Sequence, residues 1–146
     1  MLTGKTFKKK YRIGALLGSG ACAQVYEVDE NLVAKVAQGK MGDLLYLEHL
    51  VYHQVANLNP RHFATSHAYG EEHGYQFLIL DRLQGEGLNC LESLRLLHLH
   101  GYVHRDVKPE NILGNKLIDF GCCARFRSFK GELKQLGKAG TPRFAT

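Results

Sequence analysis

The segment "HRDVKPEN", from His104 to Asn111, brings several side chains that can do chemistry close together in the chain. Asp106 can accept a proton from an attacking hydroxyl, and Lys108 can neutralise negative charge on a phosphoryl group during transfer. Asn111 and, in the following "IDFG", Asp119 offer hard oxygen atoms of the kind that bind Mg²⁺. Either segment alone also suits a polar surface turn, but the two in this order favour a catalytic site.

Two upstream features extend this candidate site. The glycines of "GSGACAQV", from Gly18 to Val25, would let backbone amides approach a phosphate, although an ordinary hairpin would use them too. Lys35 in "VAKV" lies on a predicted buried strand, so its ammonium needs an anionic partner, and Glu48 in the next predicted helix can supply one. The alternative is a lysine that reaches solvent from an edge strand and an exposed helical glutamate. A lysine fixed by a carboxylate beneath a glycine-rich turn would bind phosphates.

The elements that must position these residues begin with a predicted sheet. Alternating apolar residues in "RIGALLG", "AQVYEVD" and "LVAKVA" predict three antiparallel strands. Two more strands are predicted around "TSHAYGEE" and "YQFLILDRL", separated by a turn in "EEHG". Between the third and fourth strands, a helix is predicted to start with Asp43 as its N-cap and to end before Pro60. Its predicted apolar face consists of Leu44, Leu47, Leu50, Val51 and Val55.

A second helix and a hairpin are predicted to deliver the downstream residues. The run "NCLESLRLLHLHG" has a capping pattern at Asn89 and Glu92 and stops at Gly101, a predicted C-cap position. Its predicted apolar residues are Leu91, Leu94 and Leu97. A tight hairpin, "IL" then "GN" then "KLI", is predicted to hold Asn111 and Asp119 at its two ends.

The bulk properties limit the classes of function. The 146 residues carry a net charge of +5, which favours anionic partners such as nucleotides or phosphorylated proteins. Nucleic acid is a weaker expectation, because the basic run "KKKYR" is short and equally suits a solvated leader. The N-terminus lacks the apolar core of a signal peptide, and no apolar run is long enough for a membrane span. The four cysteines lack metal-ligand spacing and suit reduced thiols, so we expect a cytoplasmic or nuclear protein.

Taken in order, these segments resemble the eukaryotic-type protein kinases. The matching elements are the glycine-rich loop "GSGACAQV", the strand lysine of "VAKV", the helix-C glutamate Glu48, the catalytic loop "HRDVKPEN" and "DFG". Lys108 and Thr141 are similar to the serine/threonine-specific pattern, and "GTPRFAT" is also similar to casein kinase 1-like enzymes. The third glycine of the loop pattern is replaced by Ala23. The resemblance implies an α+β fold with a five-stranded antiparallel N-lobe sheet, a helix C and a shortened, partial helical C-lobe.

The resemblance implies a role for each of several individual residues of the site. Asp106 would orient the substrate hydroxyl with Lys108 beside it, and Asn111 and Asp119 would bind Mg²⁺. The residues implied to bind ATP are Gly18, Gly20, Val25, Ala34, Lys35 and Glu48. Tyr52 and Phe120 are expected to pack in the core and to tie helix C to the "DFG" segment.

The expected organisation is a single kinase-like domain over 1–146, with a basic leader at 1–10, the N-lobe at 11–83 and a partial C-lobe at 84–146. Two functions compete for such a chain. The first is an ATP-dependent serine/threonine kinase that phosphorylates a protein hydroxyl. The alternative is a catalytically impaired remnant that binds nucleotide or a partner kinase as a regulator, or that self-associates through the incomplete lobe.

Overall fold

A five-stranded antiparallel sheet dominates the first half of the chain. The computed structural model describes residues 2–20, 23–83, 90–105, 107, 111–118 and 120 and the backbone of 124–125. The elements in chain order are β1 (Thr6–Phe7), β2 (Tyr11–Arg12), β3 (Leu16–Ser19), β4 (Gln24–Glu27), β5 (Leu32–Ala37), α1 (Gly39–Gln54), a 3₁₀ turn (Ala56–Leu58), β6 (Ser66–Glu72), β7 (Tyr75–Asp81), α2 (Leu91–Leu99), β8 (Tyr102–Val103), β9 (Ile112–Leu113), β10 (Lys116–Leu117) and β11 (Ala124–Arg125). The sheet has the order β3-β4-β5-β7-β6, so the five predicted strands and their antiparallel pairing are confirmed.

The two faces of this sheet pack against different partners. We call the face that carries Leu78 and Leu80 the inner face, because these residues share a buried cluster with Leu45, Val51 and Tyr52 of α1. The outer face carries the residues that alternate with them, and these form a second buried cluster with the N-terminal segment: Ala34, Val36, Phe77 and Ile79. Alternation along each strand therefore decides which side chains can meet α1 and which cannot.

The N-terminal segment is part of the second cluster. Leu2, Phe7 and Ile13 are buried on the outer face, and the rings of Phe7 and Phe77 stack with centroids 4.1 Å apart. Strands β1 and β2 pair as a small hairpin that exposes its lysines to solvent. The segment expected to be a basic leader at 1–10 therefore exposes its lysines to solvent but also buries Leu2 and Phe7 against the outer face.

Helix α1 differs from the prediction in its start and in its buried face. It begins at Gly39 after Gln38, which makes no side-chain capping bond, so Asp43 lies inside the helix and is not its N-cap. The predicted apolar face is also wrong in part, because Leu47 is 48 % exposed and Leu44 and Leu50 are only half-buried. The residues that α1 buries are Gly42, Leu45, Glu48, Val51 and Tyr52. This stripe places a carboxylate in the middle of an apolar contact.

The second helix is confirmed, with a correction to its apolar face. Helix α2 buries Leu96 and Leu97, whereas Leu91 is 75 % exposed at its first turn. The predicted capping residue Asn89 lies outside the described residues, and Cys90 occupies the N-cap position. Gly101 follows the helix with a φ of 86°, which is the left-handed conformation expected of a glycine at this point.

Two tight hairpins confirm predicted turns. Strands β6 and β7 are joined by His73 and Gly74, both with positive φ, and β9 and β10 by Gly114 and Asn115, with φ of 57° and 61°. Two successive positive φ values are typical of the type I′ turn, whose twist matches that of paired strands. The second hairpin brings the two ends of its chain segment together, and the amide of Ile118 donates to the carbonyl of Asn111 at 2.8 Å.

Candidate active site

The best-defined feature of the candidate site is an ion pair between β5 and α1. Lys35 Nζ donates to Glu48 Oε2 at 2.8 Å and to Oε1 at 3.0 Å. The side chain of Glu48 is 1 % exposed and that of Lys35 is 14 % exposed. Strand alternation puts Lys35 on the inner face, and the buried stripe of α1 puts Glu48 opposite it. The pair predicted from the sequence is therefore formed, and the alternative of two unrelated surface charges is wrong.

The glycine-rich turn lies two strands from this pair. Val25 is the register partner of both Gly18 on β3 and Lys35 on β5, so the three residues form one row across the sheet. Among the described residues, a Cβ built on Gly18 would meet no atom within 4 Å, and one on Gly20 would meet the carbonyl of Ala23 at 3.7 Å. The glycines therefore leave open space beside the row that ends at the lysine ammonium. Accessible backbone amides beside a fixed lysine ammonium can bind a chain of phosphate groups.

One predicted nucleotide-binding residue is on the wrong face. Ala34 is fully buried in the outer cluster with Val36 and Phe77, whereas Lys35 points to the inner face. A ligand held by Lys35 cannot also contact the side chain of Ala34, because successive strand residues point to opposite faces. Val33, two residues before Lys35, packs against the inner cluster and is the residue that sequence reasoning missed. The alternation of the strand was the signal that could have identified it.

The residues that flank the two predicted aspartates are held together. His104 is buried, and its Nε2 lies 2.8 Å from the carbonyl of Ile118, so this nitrogen carries the proton and donates. His104 comes two residues before Asp106, and Ile118 comes directly before Asp119. Asp106, Lys108 and Asp119 themselves lie outside the described residues. The hydrogen bond therefore ties the loop before one aspartate to the strand end before the other.

Two backbone features shape the same loop. Arg105 has a φ of 67°, a left-handed conformation that non-glycine residues adopt rarely and at a cost of about 1–2 kcal/mol. Val107, on the other side of Asp106, packs against the inner cluster. Strain of this kind is concentrated at functional sites, where surrounding contacts over-determine the backbone.

A chain of rings connects helix α1 to this region. The ring centroids of Tyr52 and Phe120 are 4.9 Å apart in an edge-to-face arrangement, and Phe120 also meets the rings of Phe63 and His104 at 5.8 and 5.9 Å. Tyr52 is one helical turn after Glu48 and Phe120 directly follows Asp119. The predicted packing role of Tyr52 and Phe120 is confirmed, and it links the helix that carries Glu48 to the "DFG" segment.

Asn111 is the one predicted metal ligand that the structure describes. It is 5 % exposed at the start of the β9–β10 hairpin, and its carbonyl holds Ile118, the residue before Asp119. Amide and carboxylate oxygens suit Mg²⁺, so the donor types fit this ion. Among the residues that the structure describes, no group of three or more His, Cys, Asp or Glu could hold a metal ion. A magnesium site here would therefore need Asp119.

Polar contacts fix the end of β7, after which the chain leaves the sheet. The carboxylate of Asp81 accepts from the amide of Thr65 at 2.9 Å and lies 2.6 Å from His67 Nε2. Arg82 Nη1 donates to Glu27 Oε2 on β4 at 2.6 Å. These bonds anchor the edge of the inner face where Leu83 packs against the inner cluster.

The comparisons with known proteins agree with this geometry. Residues 79–145 match the family model described as protein kinase domain. The crystal structure of the PF14_0431 kinase domain superposes with a TM-score of 0.72 over 87 % of this chain and 55 % of that one, at 18 % identity, which shows the kinase fold. The fold and the matched sequence together support the resemblance of the chain to the eukaryotic-type protein kinases.

The similar curated proteins are serine/threonine kinases. The chain is 30 % identical to serine/threonine-protein kinase PknD of Mycobacterium tuberculosis over 88 % of its own length. It is 29 % identical to serine/threonine-protein kinase PAK 1 of the mouse over 92 % of its length. The chain spans 24 % of the first protein and 30 % of the second. In the described part of the chain, no helix combines the length and the apolar character needed to cross a bilayer.

Proposed function

We propose that this chain binds Mg·ATP and transfers the γ-phosphoryl group to a serine or threonine hydroxyl of a protein substrate. The observation that carries the proposal is the bidentate contact between Lys35 and the buried carboxylate of Glu48. A buried charge pair costs desolvation and seldom adds net stability, so its placement under an open glycine row supports a role in binding. When bound, Mg·ATP supplies the phosphoryl group and a divalent cation that neutralises its charge.

The chain's own residues divide the work of binding. Lys35, held by Glu48, presents a fixed cation to phosphate oxygens, while Gly18 and Gly20 let backbone amides approach them. Val25 and Val33 offer apolar surface on the same inner face for an adenine ring. Asn111 and Asp119 are the proposed oxygen ligands of the metal. The cation is pre-organised because both carboxylate oxygens hold the ammonium, which reduces the entropy lost when a ligand binds.

The proposed chemistry depends on Asp106 and Lys108. Asp106 orients the attacking hydroxyl and accepts its proton, which typically contributes about 10²- to 10⁴-fold in rate. Lys108 stabilises charge on the transferring group. The tie from His104 to Ile118 and the packing of Val107 support this role, because they hold the loop on both sides of Asp106.

The test is a transfer assay with the purified chain, radiolabelled ATP and a generic protein substrate. We expect labelled phosphoserine or phosphothreonine, and we expect Asp106→Asn to lose at least about 10²-fold in rate, as for loss of a positioned base. Glu30→Gln, at an exposed position between β4 and β5, is a matched carboxylate-to-amide control that should keep the rate. Equal rates for the parent and Asp106→Asn would contradict the proposal. Binding of Mg·ATP without any transfer would instead support the non-catalytic regulator.

A further inference from the structure

Helix α1 lies close to the sheet at Gly42. A Cβ built on this glycine would lie 2.0 Å from Oε1 and 2.4 Å from Cδ of Gln76 on β7, where ordinary contacts begin near 3.4 Å. Gly42 is among the buried residues of α1, in the second turn of the helix. Position 42 therefore has no room for any side chain while Gln76 keeps its place.

The backbone of Gln76 is part of β7, close to the ion pair. It is the register partner of Ala37, and Leu78, two residues further on β7, is the partner of Lys35. By strand alternation Gln76 lies on the inner face with Leu78. Its Oε1 is buried and has no hydrogen-bond partner within the described part of the chain. An amide oxygen without such a bond costs free energy.

The contact between Gly42 and Gln76 lies close enough to Glu48 to affect the position of its carboxylate. Glu48 is six positions after Gly42, which is about 9 Å along a helix. A methyl group at position 42 would need more than 1 Å of extra separation from Gln76 to reach ordinary contact. While the Gln76 side chain keeps its rotamer, a shift of that size, passed along a rigid helix, would stretch the 2.8 Å bond from Lys35 to Glu48 beyond hydrogen-bonding distance.

We propose that Gly42 and Gln76 are positioning residues, which set the height of α1 above the sheet and so close the pair of Lys35 and Glu48. The proposal rests on the proposed function in one respect, that this pair serves nucleotide binding. The steric part stands without it. Gly42 acts through Glu48 and touches no ligand.

The first test measures the pair directly, without nucleotide. The rate at which an amine-reactive acetylating reagent labels Lys35, followed by mass spectrometry, reports whether its ammonium is held. We expect Gly42→Ala to raise this rate at least about fivefold, as for a pair weakened by roughly one kcal/mol. Gln76→Ala in addition removes the clashing atoms and should restore the parent rate. Lys40, exposed at the start of α1, is the internal control and should label equally in all variants.

The second test measures Mg·ATP affinity and thermal stability for the same proteins. We expect Gly42→Ala to weaken binding at least about fivefold and the double variant to recover it. Alanine favours a helix interior more than glycine does, so a loss cannot come from helix propensity. If the parent binds no Mg·ATP, the proposed function fails, while the labelling of Lys35 still decides this inference.

Three outcomes would overturn the inference. Parent-like labelling of Lys35 in Gly42→Ala would mean that Gln76 swings aside and sets nothing. A lower melting temperature with unchanged labelling and affinity would leave only a structural role. If Gly42→Ala does not fold, the double variant decides. Its folding with parent-like labelling supports the inference, and its failure to fold contradicts it.

Discussion

Lys35 Nζ on β5 lies within 3.0 Å of both carboxylate oxygens of Glu48 on α1, and Glu48 is almost fully removed from solvent. The two residues are 13 positions apart in the chain and belong to different elements. Their contact fixes α1 against the sheet and fixes the lysine under the glycine-rich turn. Both effects can be measured separately.

The stability of the pair gives the first prediction. Lys35→Met should lower the free energy of unfolding by about 3–5 kcal/mol, because it leaves a buried carboxylate without its cation. The double variant Lys35→Met/Glu48→Leu should recover most of this loss, since an apolar pair avoids the cost of desolvation. Urea denaturation measures both. Lys40→Met, at an exposed position of α1, is the control and should change stability by less than about 0.5 kcal/mol. A double variant as unstable as Lys35→Met would argue against the pair.

The two faces of β5 give the second prediction. Val33→Phe places a large side chain on the inner face and should weaken Mg·ATP binding at least about tenfold, the equivalent of one lost contact of 1.4 kcal/mol. Ala34→Val overpacks the outer cluster and should cost about 1–3 kcal/mol of stability while leaving affinity unchanged. Calorimetric titration and thermal unfolding separate the two effects. If Ala34→Val alone weakened binding, the assignment of faces would be reversed.

The aromatic chain gives the third prediction. Tyr52→Leu and Phe120→Leu should each destabilise the protein, and a double-mutant cycle should yield a coupling of about 0.5–1.5 kcal/mol, the value typical of edge-to-face pairs. The control cycle pairs Phe120→Leu with Tyr46→Leu. Tyr46 is exposed on α1, and its ring meets His49 and Tyr69 instead of Phe120. We expect these two changes to be additive within about 0.5 kcal/mol. Additivity of the first cycle would show that α1 and the "DFG" segment are not coupled by these rings.

Acid sensitivity gives the fourth prediction. Burial lowers the pKa of His49 below its ordinary 6.5, and the positive charges of His53 and Lys8 lower it further. Its ring stacks on Tyr69 of β6, with centroids 4.4 Å apart. The unfolded chain therefore binds a proton at a higher pH than the folded chain does. This contribution to stability is full above 6.5 and is lost as the pH falls through 6.5 towards the lower folded pKa.

Urea denaturation at neutral and mildly acidic pH tests this sign. His49→Phe keeps a ring against Tyr69 but cannot take up a proton, so its stability should fall less on acidification than that of the parent. His98→Phe, at an exposed position of α2, is the control and should follow the parent. An equal fall in the free energy of unfolding for His49→Phe and the parent would show that His49 does not cause the acid sensitivity.

Much of the sheet could be predicted because its signals are local. Alternating apolar residues marked each strand, and Gly74 and Gly114 marked turns whose positive φ values require such residues. The pairing of Lys35 with Glu48 was also predictable, because a lysine on a buried strand needs a nearby acid. Ala34 was misassigned although the same alternation, applied residue by residue, puts Val33 and not Ala34 beside Lys35 in space.

Other features depend on contacts that are distant in the chain. The N-terminal segment is buried because Phe7 meets Phe77, seventy positions away, and no local pattern reveals that partner. Asp43 looked like a helix start, but α1 begins earlier, at Gly39, and buries Gly42 against Gln76. Tertiary packing thus overrode the capping signal.

The central claim is that the inner face binds Mg·ATP beside Lys35 of β5. Isothermal titration of the full chain with Mg·ATP, beside Lys35→Met and the control Lys40→Met, tests it most directly. The account predicts saturable binding by the parent and Lys40→Met, and at least about tenfold weaker binding by Lys35→Met, as for the loss of one charged contact. Equal affinity for Lys35→Met and the parent, or no binding by the parent, would contradict it.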